Sequence, residues 1–252
     1  MQKIISGNWK MNGSRSDLNR WFEDFFGEVL EFEKNLNQAA PIVLICVPTI
    51  YIGYAENLAI KYNERTKYIK INIGCQDIHV EERGAYTGSN SVVFVGDFDL
   101  KYTLIGHSER RQYERETDEI VAKKAINAIK NSITPIVCVG ESLEVRDKQQ
   151  HLSFIEEQVL KSTNGVDINR IIIAYEPVWA IGTGKVPTLN EIEEINSKIK
   201  EILGEIPVLY GGSVKSSNTK DITSLRSVDG VLVGGASLKG EEFFNILKNS
   251  IL

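Results

Sequence analysis

Eight short apolar runs recur along the chain, at residues 3–6, 42–47, 70–74, 102–105, 134–139, 171–175, 207–210 and 230–233. Each is continuous rather than alternating in polarity. That is the pattern of strands buried on both faces, so it predicts a parallel sheet with helices outside it. The longer stretches between the runs carry apolar residues at helical spacing. Residues 18–34 put Trp21, Phe22, Phe25, Phe26 and Val29 on one face, and 117–131, 152–161, 189–203 and 241–251 read the same way. Thr117 is placed to cap its helix, with Asp118 and Glu119 beside the positive end of the dipole. Asp17 and Thr188 offer similar starts.

No Pro/Ser/Gly-rich linker, low-complexity tract or charge block interrupts the alternation, so the sequence predicts one domain spanning residues 1–252. Divided among eight strand-plus-helix units, the 252 residues give about 31 per unit, the spacing of an α/β fold closed as a (β/α)8 barrel. The competing arrangement is an open doubly wound sheet, which predicts a glycine fingerprint after the first strand. The residues there, Gly7-Asn8-Trp9-Lys10-Met11-Asn12-Gly13, are not GxGxxG. The stretch 179–187 lacks the glycine at 179 and the hydroxyl at 186 of a phosphate loop, and the glycine at 187 of a dinucleotide site.

Composition narrows the function classes. Hydrophobic residues make up 42% of the chain, with 20 glycines besides, which suits a packed domain and excludes disorder as the main state. A net charge of −5 lacks the basic footprint of a nucleic-acid binder. No apolar run approaches the roughly 20 residues that span a bilayer, and the first ten residues lack a secretory apolar region, so a cytoplasmic location is expected. Cys46, Cys75 and Cys138 form no CxxC pair and read as small buried residues in a reducing compartment.

Chemistry in a barrel belongs to the loops after the strands' C-terminal ends. Those loops hold Asn8 and Lys10 after the first run and Gly106-His107-Ser108-Glu109-Arg110-Arg111 after the fourth. Glu176-Pro177 follows the sixth, Gly211-Gly212-Ser213 the seventh and Gly234-Gly235-Ala236-Ser237 the eighth. Each has an ordinary explanation as well: lysines are usually surface residues, loop carboxylates are usually solvated, and glycine pairs make tight turns. His79 and His151, in polar surroundings, fit the surface class. His107 differs, because it ends an apolar run and opens a short helix whose dipole disfavours imidazolium. The apolar flanks of Glu176 are expected to raise its basicity by desolvation. Two glycine loops on adjacent strands suit a phosphate gripped by backbone N–H groups.

Five motifs then act together: Asn8-Trp9-Lys10-Met11-Asn12, Ile105-Gly106-His107-Ser108-Glu109-Arg110-Arg111, the stretch 174–184 with Glu176-Pro177-Val178-Trp179, Tyr210-Gly211-Gly212-Ser213-Val214, and the stretch 230–238. In order, and over nearly the whole chain, they resemble the triosephosphate isomerase family. The resemblance implies interconversion of dihydroxyacetone phosphate and glyceraldehyde 3-phosphate through an enediolate, without metal or organic cofactor. It makes Glu176 the general base, His107 the electrophile, Lys10 the counter-charge, Asn8 a polar contact and Glu109 the residue orienting Lys10 and His107. Phosphate maps onto Gly182, Ser213, Gly234 and Gly235. Residues 177–186 correspond to a closing lid that Tyr210 and Ser213 hold, with Ile181 and Leu232 around Glu176. The loop 84–90 corresponds to the element that inserts into a second copy, which implies a homodimer. Two positions depart from the family pattern: Pro187 stands where alanine is common at the lid's end, and Ser89 where a glutamate is usual in the interface loop. A different phosphosugar barrel and a non-catalytic barrel scaffold are the competing functional readings.

Overall fold

The computed structural model describes residues 2–36, 40–181 and 185–251. Eight strands, β1 (Ile4–Asn8), β2 (Ile42–Cys46), β3 (Ile71–Cys75), β4 (Tyr102–Ile105), β5 (Thr134–Val139), β6 (Ile172–Tyr175), β7 (Val208–Tyr210) and β8 (Gly230–Val233), close in sequence order into a parallel barrel. Closure is made by β1 on β8, with Ile4 opposite Gly230. A Cβ at Gly230 would lie 1.9 Å from the Ile4 carbonyl oxygen, so only glycine lets the seam close.

The continuous apolar character of the runs has a direct structural cause. Alternate strand residues point into the barrel, where Leu44, Leu104, Ile136, Ile172, Leu209 and Leu232 pack together. Their neighbours Val43, Ile45, Ile105, Val137 and Ile173 point outward into the layer under the helices. Both faces are buried, so most strand positions are apolar on either side. All three cysteines are buried and free.

The helices are α1 (Arg15–Phe32), α2 (Ile52–Asn63), α3 (Val92–Asp97), α4 (Ser108–Tyr113), α5 (Asp118–Lys130), α6 (Leu143–Asp147), α7 (His151–Ser162), α8 (Leu189–Leu203), α9 (Ser216–Ser224) and α10 (Gly240–Ile251). The aromatic face of α1 is buried as expected, with Trp21 stacked on Phe25 at 4.9 Å and tilted against Phe243 of α10. Each such ring contributes roughly 1.5–3 kcal/mol by leaving water. Thr117 and Thr188 cap α5 and α8. Asp17 does not cap α1: the cap is Ser14, whose hydroxyl accepts from the Asp17 amide, leaving Asp17 in the first turn beside the dipole. The first strand also runs further than its apolar pattern, to Asn8, because the barrel buries the polar Ser6 and Asn8 as well. Helix α9 is nearly invisible in the sequence because only Thr219, Ile222 and Thr223 of its nine residues are buried. Among the described residues no helix is long and apolar enough to cross a membrane.

Candidate active site

The C-terminal ends of β1, β4, β6, β7 and β8 surround a cavity of about 280 Å³ that holds Asn8, Lys10, His107, Glu176, Ser213, Gly234 and Gly235. Glu176 follows β6 directly, its amide donating 2.7 Å to the carbonyl of Val139 on β5. The carboxylate is nearly fully buried, at 2% exposure. His107 Nε2 lies 2.9 Å from Oε1 of Glu176, and the Ser108 amide donates to Oε2 at 3.1 Å.

His107 caps α4: its Nδ1 accepts from the Glu109 amide at 3.2 Å. An atom that accepts carries no proton, so this bond assigns the proton to Nε2 and leaves the ring neutral. Burial pushes the imidazole pKa down, but the facing charges of Glu176 and Glu109 pull it up, and the net direction is upward. The Glu176 share of that pull lasts only while its carboxylate is an anion beside the ring. Once it accepts a proton, burial and Lys10, which favour the neutral form, are opposed by Glu109 alone.

The expectation that desolvation makes Glu176 more basic is corrected by its partners. Burial does push its pKa up, yet the His107 contact, the Ser108 amide and Lys10 outweigh it and hold the carboxyl below 4.5. The apolar flanks in the sequence revealed the burial but not the donors.

Lys10 sits at φ 53°, in the left-handed region, with its amide donating to Asn8 Oδ1 at 2.9 Å and its carbonyl accepting from Gln76 at 2.9 Å. These bonds hold a conformation that a non-glycine residue adopts at a cost. They aim the ammonium group at Glu109, 2.6 Å away, whose other carboxylate oxygen is 3.6 Å from His107 Nδ1. Glu109 therefore touches both groups that it was expected to orient. Below it, Arg110 of α4 contacts Asp77 and Glu116, and buried Lys124 of α5 contacts the same two acids at 2.6 Å each. Burial raises the Asp77 pKa, against Lys124, to about 6.

Of the expected phosphate contacts, Ser213, Gly234 and Gly235 line the cavity; Gly182 lies outside the described residues. Ser213 donates to the Ala180 carbonyl at 3.1 Å, joining the β7 loop to the segment after Glu176. Leu232 and Ile181 line the cavity with Glu176. Gly211 must be small, since a Cβ there would meet Glu176 Cγ at 2.9 Å. Three supporting residues escaped the sequence reading. Gln76 and Glu141 follow strands, a placement that could have drawn notice, whereas Arg146 of α6 has no sequence signal.

A closed parallel barrel with a buried carboxylate–imidazole pair, an ammonium group and a glycine-lined wall defines a barrel enzyme of acid–base type with a small polar substrate. The model of the triosephosphate isomerase family matches residues 3–250. The triosephosphate isomerase of Alkaliphilus oremlandii is 40% identical over 97% of this chain and 98% of its own. That of Mesomycoplasma hyorhinis is 40% identical over 97% of each. The crystal structure of triosephosphate isomerase from Bartonella henselae aligns over 100% of both chains with a TM-score of 0.83 and 32% identity. The chain belongs to the triosephosphate isomerase family, isomerases that interconvert dihydroxyacetone phosphate and D-glyceraldehyde 3-phosphate.

Proposed function

We propose that this chain performs that interconversion with Glu176 as the base that moves the proton between the two carbons. The observation that carries the assignment is the buried Glu176 carboxylate 2.9 Å from His107 Nε2 at the wall of the cavity. The proton next to the substrate carbonyl passes to Glu176, the Nε2–H of His107 donates to the carbonyl oxygen, and Lys10 offsets the charge that develops on the enediolate. Asn8 and Glu109 hold Lys10 and His107 in place. No metal or organic cofactor enters this chemistry.

Phosphate is held by the backbone at Ser213, Gly234 and Gly235, with Gly182 joining them by the resemblance. Residues 177–186 act as the lid, held by Tyr210 and Ser213, and the closed site keeps water from an enediolate that would otherwise lose its phosphate. Substrate must separate Glu176 from His107, so the pair itself marks where the reacting carbon and oxygen sit.

Residues 1–252 act as one domain, in the cytoplasm, and two copies form a homodimer through the loop 84–90. Residues 83–89 of that region are exposed, including the large side chain of Tyr86, and Met11 beside Lys10 is 96% exposed. Ser89 offers no carboxylate to a partner, so one ion pair of the family interface is lacking.

The test is a coupled assay on triose phosphate. Glu176→Asp withdraws the carboxylate by one methylene and should lose about 100-fold in kcat, since a displacement of about 1 Å costs that much. His107→Gln should also fall steeply. An unchanged rate for Glu176→Asp would remove the base assignment, and full activity of His107→Gln would favour a different phosphosugar reaction.

A further inference from the structure

We propose that Arg146 is a positioning residue for the isomerisation, joining the chain that leaves the base to the first turn of α8. The proposal rests on the assignment of Glu176 as the base. Arg146 lies outside the catalytic cavity and is largely buried, and its planar fork meets two carboxylates: Nη1 is 3.0 Å from Glu141 Oε1, and Nη2 is 2.9 Å from Glu191 Oε1.

Each carboxylate is tied to one end of the stretch after the base. Glu141 is wholly buried, and the oxygen that meets Arg146 also accepts from the Tyr175 hydroxyl at 3.1 Å and the Trp179 indole at 2.9 Å. Those residues flank Glu176 on both sides. The Glu141 carbonyl further accepts from the Val178 amide at 3.1 Å. At the other end, Glu191 Oε2 accepts the Thr188 amide and hydroxyl at 2.7 and 2.8 Å, closing the capping box of α8. The guanidinium carbon also lies 5.3 Å from the centre of the Trp179 ring. One cation thus fixes the spacing between Trp179 and Thr188. Any drift of either end must break a charge-assisted bond, and the drift at Trp179 is passed to the carboxylate three residues earlier.

A merely structural reading makes Arg146 only the counter-charge of buried Glu141, whose loss would leave an unpaired anion. Kinetics of Arg146→Gln, Arg146→Lys, Glu191→Gln and the double variant Glu141→Gln/Arg146→Met separate the two, read beside thermal melts. Glu191→Gln keeps the cap, because an amide oxygen still accepts from Thr188, and removes the charge facing Arg146. We expect Arg146→Gln to lose about 10-fold in kcat with KM within about twofold, and Arg146→Lys and Glu191→Gln each to lose kcat but no more than Arg146→Gln does. Glu141→Gln/Arg146→Met should regain melting temperature and leave kcat low. In protein labelled with 5-fluorotryptophan, the Trp179 resonance of Arg146→Gln is expected to be broader than that of wild type measured under the same conditions.

Recovery of kcat together with melting temperature in the double variant overturns the proposal, as does a wild-type rate in Glu191→Gln. A wild-type chain without isomerase activity overturns the base assignment first and this inference with it. Activity in wild type with no loss in Arg146→Gln overturns this inference alone.

Discussion

Glu176 and His107 form one unit, and their pairing sets how each responds to pH. The proposed base works as a carboxylate, and its pKa is held below 4.5 by His107, the Ser108 amide and Lys10. A lowered value keeps the active form present into more acid solution, and the stability gained from its pairing is lost only as pH falls through that value. The acid limb of kcat/KM is therefore expected near about pH 6, where a phosphate monoester takes its second proton, with no further limb from Glu176 above pH 4.5. A pH–rate profile checks this, and a second break between the two would contradict it. The 15N spectrum of neutral His107 should show its proton on Nε2, as the Glu109 amide donating into Nδ1 requires. Sequence identified both residues by their positions after apolar runs. It misjudged the acidity of Glu176, because the donors that lower it arrive from β4 and β1, distant in the chain.

At the scale of elements, the site depends on where strands end and what the next turn permits. Gly211 follows β7 and donates 2.7 Å to the carbonyl of Tyr175, bringing its backbone against Glu176. Gly211→Ala would press a methyl on Glu176 Cγ at 2.9 Å. We expect about 10-fold loss in kcat from that displacement, with binding of inorganic phosphate changed less than about twofold. Equal losses in both would show that the loop, not the base, had moved. Caps at Thr117 and Thr188 were legible because their signature is local: a hydroxyl followed by acids. The cap at Ser14 was misassigned to Asp17 for the same reason, since both residues suit the role and only the observed hydrogen bond to the Asp17 amide decides between them. The short helices α3 and α6 and the polar α9 left no clear period, because two turns or a mostly exposed face give hydrophobicity too few positions to repeat.

For the whole molecule, the proposed dimer is open to direct measurement. Sedimentation equilibrium should give twice the chain mass, and Tyr86→Asp, which puts a charge where the exposed ring projects, should shift the protein toward monomer. A wild-type monomer at micromolar concentration would exclude the proposal. The net charge of −5 does not by itself oppose an anionic substrate, since Lys10 and two glycine loops line the cavity. The eight-strand barrel, its parallel sense, the buried cysteines and the loops that carry Asn8, Lys10, His107, Ser213, Gly234 and Gly235 were determined by sequence alone. Burial on both strand faces and the position after a strand are written in the order of residues. The Glu176–His107 contact, the donors that acidify Glu176, the Asp77–Glu116–Lys124–Arg110 cluster and the Arg146 bridge were decided only by tertiary structure. Each joins groups from different β/α units, and a few ångströms set their charge and direction, distances that arise only when the barrel closes.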